Sequence, residues 1–244
     1  MTSNFDLYIR SLRIDWDSIE EGSYLRYIRS ITAIKELVFH NAVTFFVGEN
    51  GSGKSTLLEA IAVNYGFNPE GGSKNYNFST FDSHSELCNA LILSKGFRMA
   101  KWGYFLRAES FYNVATAEDE YSRQPGGVPQ HFHEYSHGES FLRLVQDNFS
   151  ANGLYILDEP EAALSPQRQL TLLLEIARCV KDGSQFIIAT HSPILLGFPD
   201  AEILDFNNGL RSCRYEDTES YQTTKMFVNN RERILKQLFE NGSE

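Results

Sequence analysis

Gly48-Glu49-Asn50-Gly51-Ser52-Gly53-Lys54-Ser55 decides how this chain folds. The stretch fills every fixed position of the phosphate-loop pattern G-x-x-x-x-G-K-[ST]. The apolar run Ala42-Val43-Thr44-Phe45-Phe46-Val47 comes just before it and reads as a buried strand. The helical pattern Thr56-Leu57-Leu58-Glu59-Ala60-Ile61-Ala62 follows at once. Glycines let such a loop wrap a polyphosphate closely with its N–H groups pointing inward, and the helix adds its positive end to the same anion. Lys54 is then placed to reach the β- and γ-phosphates, and the Ser55 hydroxyl to ligate Mg²⁺.

A second signal lies downstream. Leu154-Tyr155-Ile156-Leu157 is a short apolar strand running into Asp158-Glu159-Pro160. A carboxylate at a strand's C-terminal end beside the phosphate loop holds Mg²⁺, directly or through water, and Asp158 has that place. Glu159, one residue on, points elsewhere and is placed to orient or deprotonate an attacking water. The strand Gln185–Thr190 ends at His191-Ser192-Pro193. His191 therefore falls on the same rim of the sheet, within reach of a γ-phosphate or of Glu159. His131-Phe132-His133 is a loop pair without a third ligand at helical spacing and is not read as a metal centre.

The 244 residues suffice for one large α/β domain with a full core. A net charge of −10 argues against a basic nucleic-acid surface over the whole molecule, though not against a local groove. The sequence has no apolar run long enough to span a bilayer and no signal-peptide design at its start. Cys88, Cys179 and Cys213 lack C-x-x-C spacing and read as buried thiols of a reducing, cytoplasmic setting.

Taken in order, residues 5–14 alternate apolar and polar, which reads as a half-buried strand at a sheet edge. Tyr24 and Tyr27 follow, packed beneath the sheet or stacked on adenine. Ile31–Phe39 reads as a second strand, Gly66–Thr80 as loop, Ser85–Ser94 as a short helix and Lys101–Phe111 as a strand. Residues 115–135 are a polar, glycine-rich excursion. After Ser136-His137-Gly138-Glu139 comes a helix, and Leu170–Val180 is a buried-looking helix. Ala201–Phe206 is a last strand, closed by a turn at Asn207-Asn208-Gly209. Lys225, Arg231, Arg233 and Lys236 lie among acids in the C-terminal helices, a solvated face. Alternating strands and helices imply an α/β fold, a mainly parallel sheet flanked by helices. The expected arrangement is one domain over 1–244. It has an antiparallel N-terminal portion, a signature subregion at roughly 68–150, and a helical tail over 215–244.

Together these residues resemble the ABC-type ATPases over roughly residues 30–206. Walker A is Gly48–Ser55, and Ser136-His137-Gly138-Glu139 is similar to the signature motif. Walker B is Leu154–Asp158, the D-loop is similar to Ala163-Leu164-Ser165-Pro166, and His191 matches the switch histidine. All stand in the family's order. His137 replaces the commoner glycine, and Glu139 the glutamine usual in transporters. These departures, with Asp158–Pro166, look like the soluble branch of recombination, SMC-like, overcoming-lysogenisation-type and defence ATPases. No coiled-coil arm is inserted. The resemblance implies a P-loop NTPase that binds ATP and Mg²⁺. Gly48, Glu49, Asn50, Gly51, Ser52, Gly53, Lys54, Ser55 and Thr56 would hold the nucleotide in cis, and Ser136, Gly138 and Glu139 in trans. Ser55, Asp158 and Glu109 would hold the metal, Glu109 standing in for the Q-loop glutamine. Glu159, His191 and Lys54 would carry hydrolysis in a head-to-tail homodimer. The implied role is to drive a separately encoded protein or DNA partner in nucleic-acid maintenance or defence. The alternatives are the nucleotide-binding subunit of a membrane transporter and a non-catalytic ATP-sensing module.

Overall fold

A computed structural model describes residues 7–73, 85–107 and 137–241. Its strands are β1 (Ile9–Ile14), β2 (Leu37–Val38), β3 (Val43–Val47), β4 (Gly72–Ser73), β5 (Leu91–Lys95), β6 (Trp102–Arg107), β7 (Gly153–Asp158), β8 (Gln185–Ala189), β9 (Glu202–Asp205) and β10 (Arg211–Ser212). The helices are α1 (Arg29–Thr32), α2 (Lys54–Tyr65), α3 (Leu87–Ala90), α4 (His137–Asn148), α5 (Pro166–Lys181), α6 (Pro193–Leu196), α7 (Glu219–Asn229) and α8 (Arg231–Asn241). Seven strands form one sheet in the order β10-β9-β3-β8-β7-β6-β4. Its five inner strands run parallel, while β4 and β10 close the edges antiparallel. A separate antiparallel sheet has the order β2-β1-β5. The α/β P-loop architecture with an antiparallel N-terminal portion is the one the sequence implies.

Helices cover both faces of a parallel sheet, so its strands are apolar on both sides. In β7, Leu154 and Ile156 join one core with α2, α3 and the small sheet. Tyr155 and Leu157 join the other, with α4, α5 and α6. β8 divides the same way, Ile187 and Ala189 against Phe186 and Ile188. One side chain stitches the two sheets together. Gln185 Oε1 accepts from the backbone N–H of Tyr8 and of Ile9, both at 2.9 Å, and its Nε2 donates to Ile9 O at 2.9 Å.

Several sequence expectations are corrected. β1 is the central strand of the small sheet, not an edge. Alternation reports which face is buried and says nothing about neighbours on either side. Ile31–Phe39 is not one strand: Arg29–Thr32 is a helical turn and only Leu37–Val38 pairs. Ile28, Ile31 and Ile34 are three residues apart, a helical spacing, and Ile31 and Ile34 are buried. Within Ser85–Ser94 the helix stops at Ala90, and Leu91–Lys95 pairs with β1. Asn64 Nδ2 donates to Cys88 O and Leu91 O, at 3.0 and 2.8 Å, and so caps the turn where the strand begins. The helix containing Leu170–Val180 is amphipathic rather than buried, with Leu170 and Leu174 exposed. Tyr24 and Tyr27 are exposed too, not beneath the sheet. Cys88 and Cys179 are buried thiols, whereas Cys213 is half-buried.

Candidate functional site

β3 delivers the chain into the loop and α2 carries it away. Gly53, at φ 98°, is the N-cap of α2 and offers no side chain to its first-turn N–H groups. A Cβ there would lie 2.8 Å from Ile28 Cγ2 and 3.0 Å from Ser30 Oγ, so only glycine fits. The loop is braced from two sides: the Ser30 hydroxyl donates to Ser52 O, and Glu49 N–H donates to Asn207 Oδ1 at 2.9 Å. The sequence marks Asn207 only as part of a turn; its bond to the loop comes from just beyond β9, far along the chain. Lys54 Nζ donates to Gly48 O at 2.7 Å and Glu49 O at 3.0 Å. Burial pushes the Lys54 ammonium below its usual range, and Glu159, Asp158 and Glu161 push back the other way.

Asp158 ends β7, and β8 lies between β7 and the loop strand β3. Even so, α2 crosses the gap: Ser55 Oγ donates to Asp158 Oδ1 at 3.0 Å. A hydroxyl and a carboxylate are both hard oxygen donors, the kind that would suit Mg²⁺. Among the described residues no cluster of three or more His, Cys, Asp or Glu is arranged for a metal.

Glu159 adopts a left-handed backbone, φ 49° and ψ 51°. A non-glycine residue there is strained, and such strain gathers at functional sites. Its N–H donates to Ala189 O of β8 at 2.9 Å. The side chain thus comes 3.6 Å from His191 Nε2, Oε1 facing the ring. A cavity of about 520 Å³ is lined by Gly48, Glu49, Asn50, Glu159 and His191, and by Thr218 and Glu219 at the start of α7. Glu161, in the sequence only one member of the Asp158–Pro166 run, holds this rim together. It accepts from Thr190 Oγ1 at 2.7 Å and from His191 N–H at 2.6 Å. Ser192 Oγ donates to Gln169 Oε1 at 2.5 Å, tying the same rim to α5.

Ser55 thus meets Asp158 and Glu159 meets His191, while Lys54 lies close enough to feel Glu159, Asp158 and Glu161. Thr56 faces a neighbouring cavity of about 430 Å³. Gly138 and Glu139 meet the D-loop region instead of the phosphate loop. A Cβ on Gly138 would lie 2.5 Å from Arg168 Nη1 and 3.1 Å from Ala163 O, and Glu139 pairs with Arg168 at 3.2 Å. Ser136 and Glu109 lie outside the described residues, as do His131 and His133. The residue that faces Asp158 across the sheet is Arg107, which the sequence reading passed over.

Two family models match overlapping stretches of the chain. One, described as "AAA domain", covers residues 24–96. The other, "AAA domain, putative AbiEii toxin, Type IV TA system", covers residues 80–197. No curated protein matches the chain. Among solved structures, the chain is similar to the SMC head domain from Thermotoga maritima (17% identity, 82% of this chain and 94% of that one, TM-score 0.44). It is also similar to a nucleotide-free ATP-binding cassette from an ABC transporter (15%, 89% and 94%, TM-score 0.46). A third is cbiO1 from Clostridium perfringens, part of an ABC transporter complex (18%, 84% and 90%, TM-score 0.42). The phosphate loop, the carboxylate set against it and the two AAA-domain matches mark a chain with a P-loop α/β fold that is similar to AAA-type ATPase domains.

Proposed function

We propose that this protein binds ATP with Mg²⁺ and hydrolyses it in a head-to-tail dimer that drives a partner in nucleic-acid maintenance or defence. The observation that carries the hydrolytic part is the union of Ser55 with Asp158 at 3.0 Å and of Glu159 with His191 at 3.6 Å on one rim. The loop N–H groups and Lys54 would hold the β- and γ-phosphates. Ser55 and Asp158 would hold Mg²⁺, which when bound neutralises charge on the phosphates. Glu159 would take a proton from the attacking water, with His191 fixing its carboxylate. Ser136 and the Gly138 amide of a second copy would close over the γ-phosphate. Loss of that phosphate would then open the dimer.

The whole chain, residues 1–244, would act as one domain, its signature subregion at roughly 68–150 and its helical tail at 215–244. The toxin–antitoxin wording of the second family match supports the defence branch. Among the described residues no helix is long and apolar enough to cross a membrane. The test is steady-state ATP turnover by wild type and Glu159→Gln, with and without DNA or RNA. Light scattering under saturating ATP and Mg²⁺ completes it. The expected result is turnover in wild type alone and an ATP-dependent dimer in the variant. A variant that hydrolyses ATP at the wild-type rate would overturn the role of Glu159, and one that stays monomeric would overturn the dimer. Turnover indifferent to nucleic acid would move the partner to a protein.

A further inference from the structure

We propose that Arg107 is a second fixed cation of the phosphate site: it positions Asp158 and contributes charge for the terminal phosphate of a nucleoside triphosphate. The inference rests on the ATP-site reading above. Arg107 is the last described residue of β6, and its Cα lies opposite that of Asp158 in β7. Its Nη1 donates to Glu59 Oε2 at 2.7 Å, and its Nε lies 3.8 Å from Asp158 Oδ2. Glu59 stands on α2 four residues beyond Ser55, whose hydroxyl binds the other oxygen of Asp158. One carboxylate therefore anchors the guanidinium from beneath while it faces the carboxylate placed for the metal. The side chain is 24% exposed, and it lines the 430 Å³ cavity together with Ser55 and Thr56.

Charge supplies the reason for a second cation. Lys54 already feels Glu159, Asp158 and Glu161, and a polyphosphate adds further negative charge. A guanidinium carries five donors in a rigid fork, more than Glu59 and Asp158 use, and it suits phosphate geometry. A cation at the metal end acts on the last phosphate of a triphosphate far more than on a diphosphate. Arg107 is thus a discriminator of ATP from ADP, whereas Lys54 and the loop grip both.

The experiment titrates fluorescent ATP and ADP analogues, with and without Mg²⁺, into wild type, Arg107→Gln, Arg107→Lys and Glu59→Gln, with melting temperature followed in parallel. Arg107→Gln is expected to weaken ATP binding roughly tenfold and ADP binding less than about twofold, the loss of one charged hydrogen bond. Arg107→Lys keeps the charge without the fork and should recover part of the ATP preference. Glu59→Gln loosens the anchor and should lower that preference without removing the cation. Equal weakening of ATP and ADP in Arg107→Gln, in step with its melting temperature, would reduce Arg107 to a structural role and overturn the proposal. So would an unchanged ATP-to-ADP ratio. Should Arg107→Gln fail to fold, an unaltered ratio in both Arg107→Lys and Glu59→Gln would overturn it equally. Wild type that binds neither nucleotide would instead sink the ATP-site reading beneath it.

Discussion

At the scale of single residues, the site holds groups that cost stability and are useful for chemistry. Lys54 shows this most directly. It is almost fully buried, and burial lowers its pKa while three carboxylates only partly oppose the shift. A lysine whose folded pKa lies below its unfolded one destabilises the protein while it is charged, and that cost is relieved only as pH rises from the lowered value towards the usual one. Lys54→Met should therefore melt no lower than wild type without nucleotide. It should bind ATP roughly 10- to 100-fold more weakly, the cost of losing a charged donor to phosphate. Thermal melts and nucleotide titrations on the same sample check both halves. Glu159 follows the same logic through its backbone, held left-handed by the bond of its N–H to Ala189 O. In the proposed role, a carboxylate aimed by strain is pre-set and need not be ordered when substrate arrives.

At the scale of elements, the apolar core shared by the two sheets is joined by a polar tie through one glutamine. Gln185 satisfies two buried N–H groups and one carbonyl of the strand 176 and 177 residues away. Gln185→Leu keeps the volume but strands those donors, which should lower stability by about 3 kcal/mol, read as a fall in the urea midpoint with little change in slope. A midpoint within experimental error of wild type would show that the sheets are held by apolar packing alone. The elements legible in the sequence were those whose signal is local. β3 and β7 are apolar runs ending in a motif, and Pro166 stands at the first position of α5 behind its Ser165 cap. Elements defined by a distant partner were not legible. Leu91–Lys95 became a strand because β1 pairs with it, and Asn64 of α2 ends the helix before it. The same holds within the site. Lys54, Ser55, Asp158, Glu159 and His191 could be found because each sits in or beside a recognisable pattern. Arg107, Glu161 and Asn207 owe their parts to contacts 48, 30 and 158 residues away, which no spacing rule reports.

At the scale of the whole molecule, alkaline stability reports on the thiols. Burial, with Glu59 as a lesser cause, pushes Cys88 up to about 11, and burial with Asp205 and Asp217 does the same for Cys213. Unfolded thiols ionise near 9 while the folded ones keep their protons to about 11. Their contribution is then complete below pH 9 and is lost as pH rises through 11. Urea midpoints should hold steady up to pH 8.5 and decline above pH 9, with a shallower decline in Cys213→Ala. A parallel decline in that variant would assign the slope to other groups. The strand order has a consequence for how the protein is made. The loop strand β3 lies between β8 and β9, with Thr44 paired to Ile187 on one side and Glu202 on the other. A growing chain on the ribosome therefore carries the complete phosphate loop long before it has the strands that hold it. At ~5–20 residues per second, that interval lasts on the order of ten seconds. Nucleotide affinity should appear abruptly, late in synthesis, when the segment around residue 205 emerges and the sheet can close around the loop.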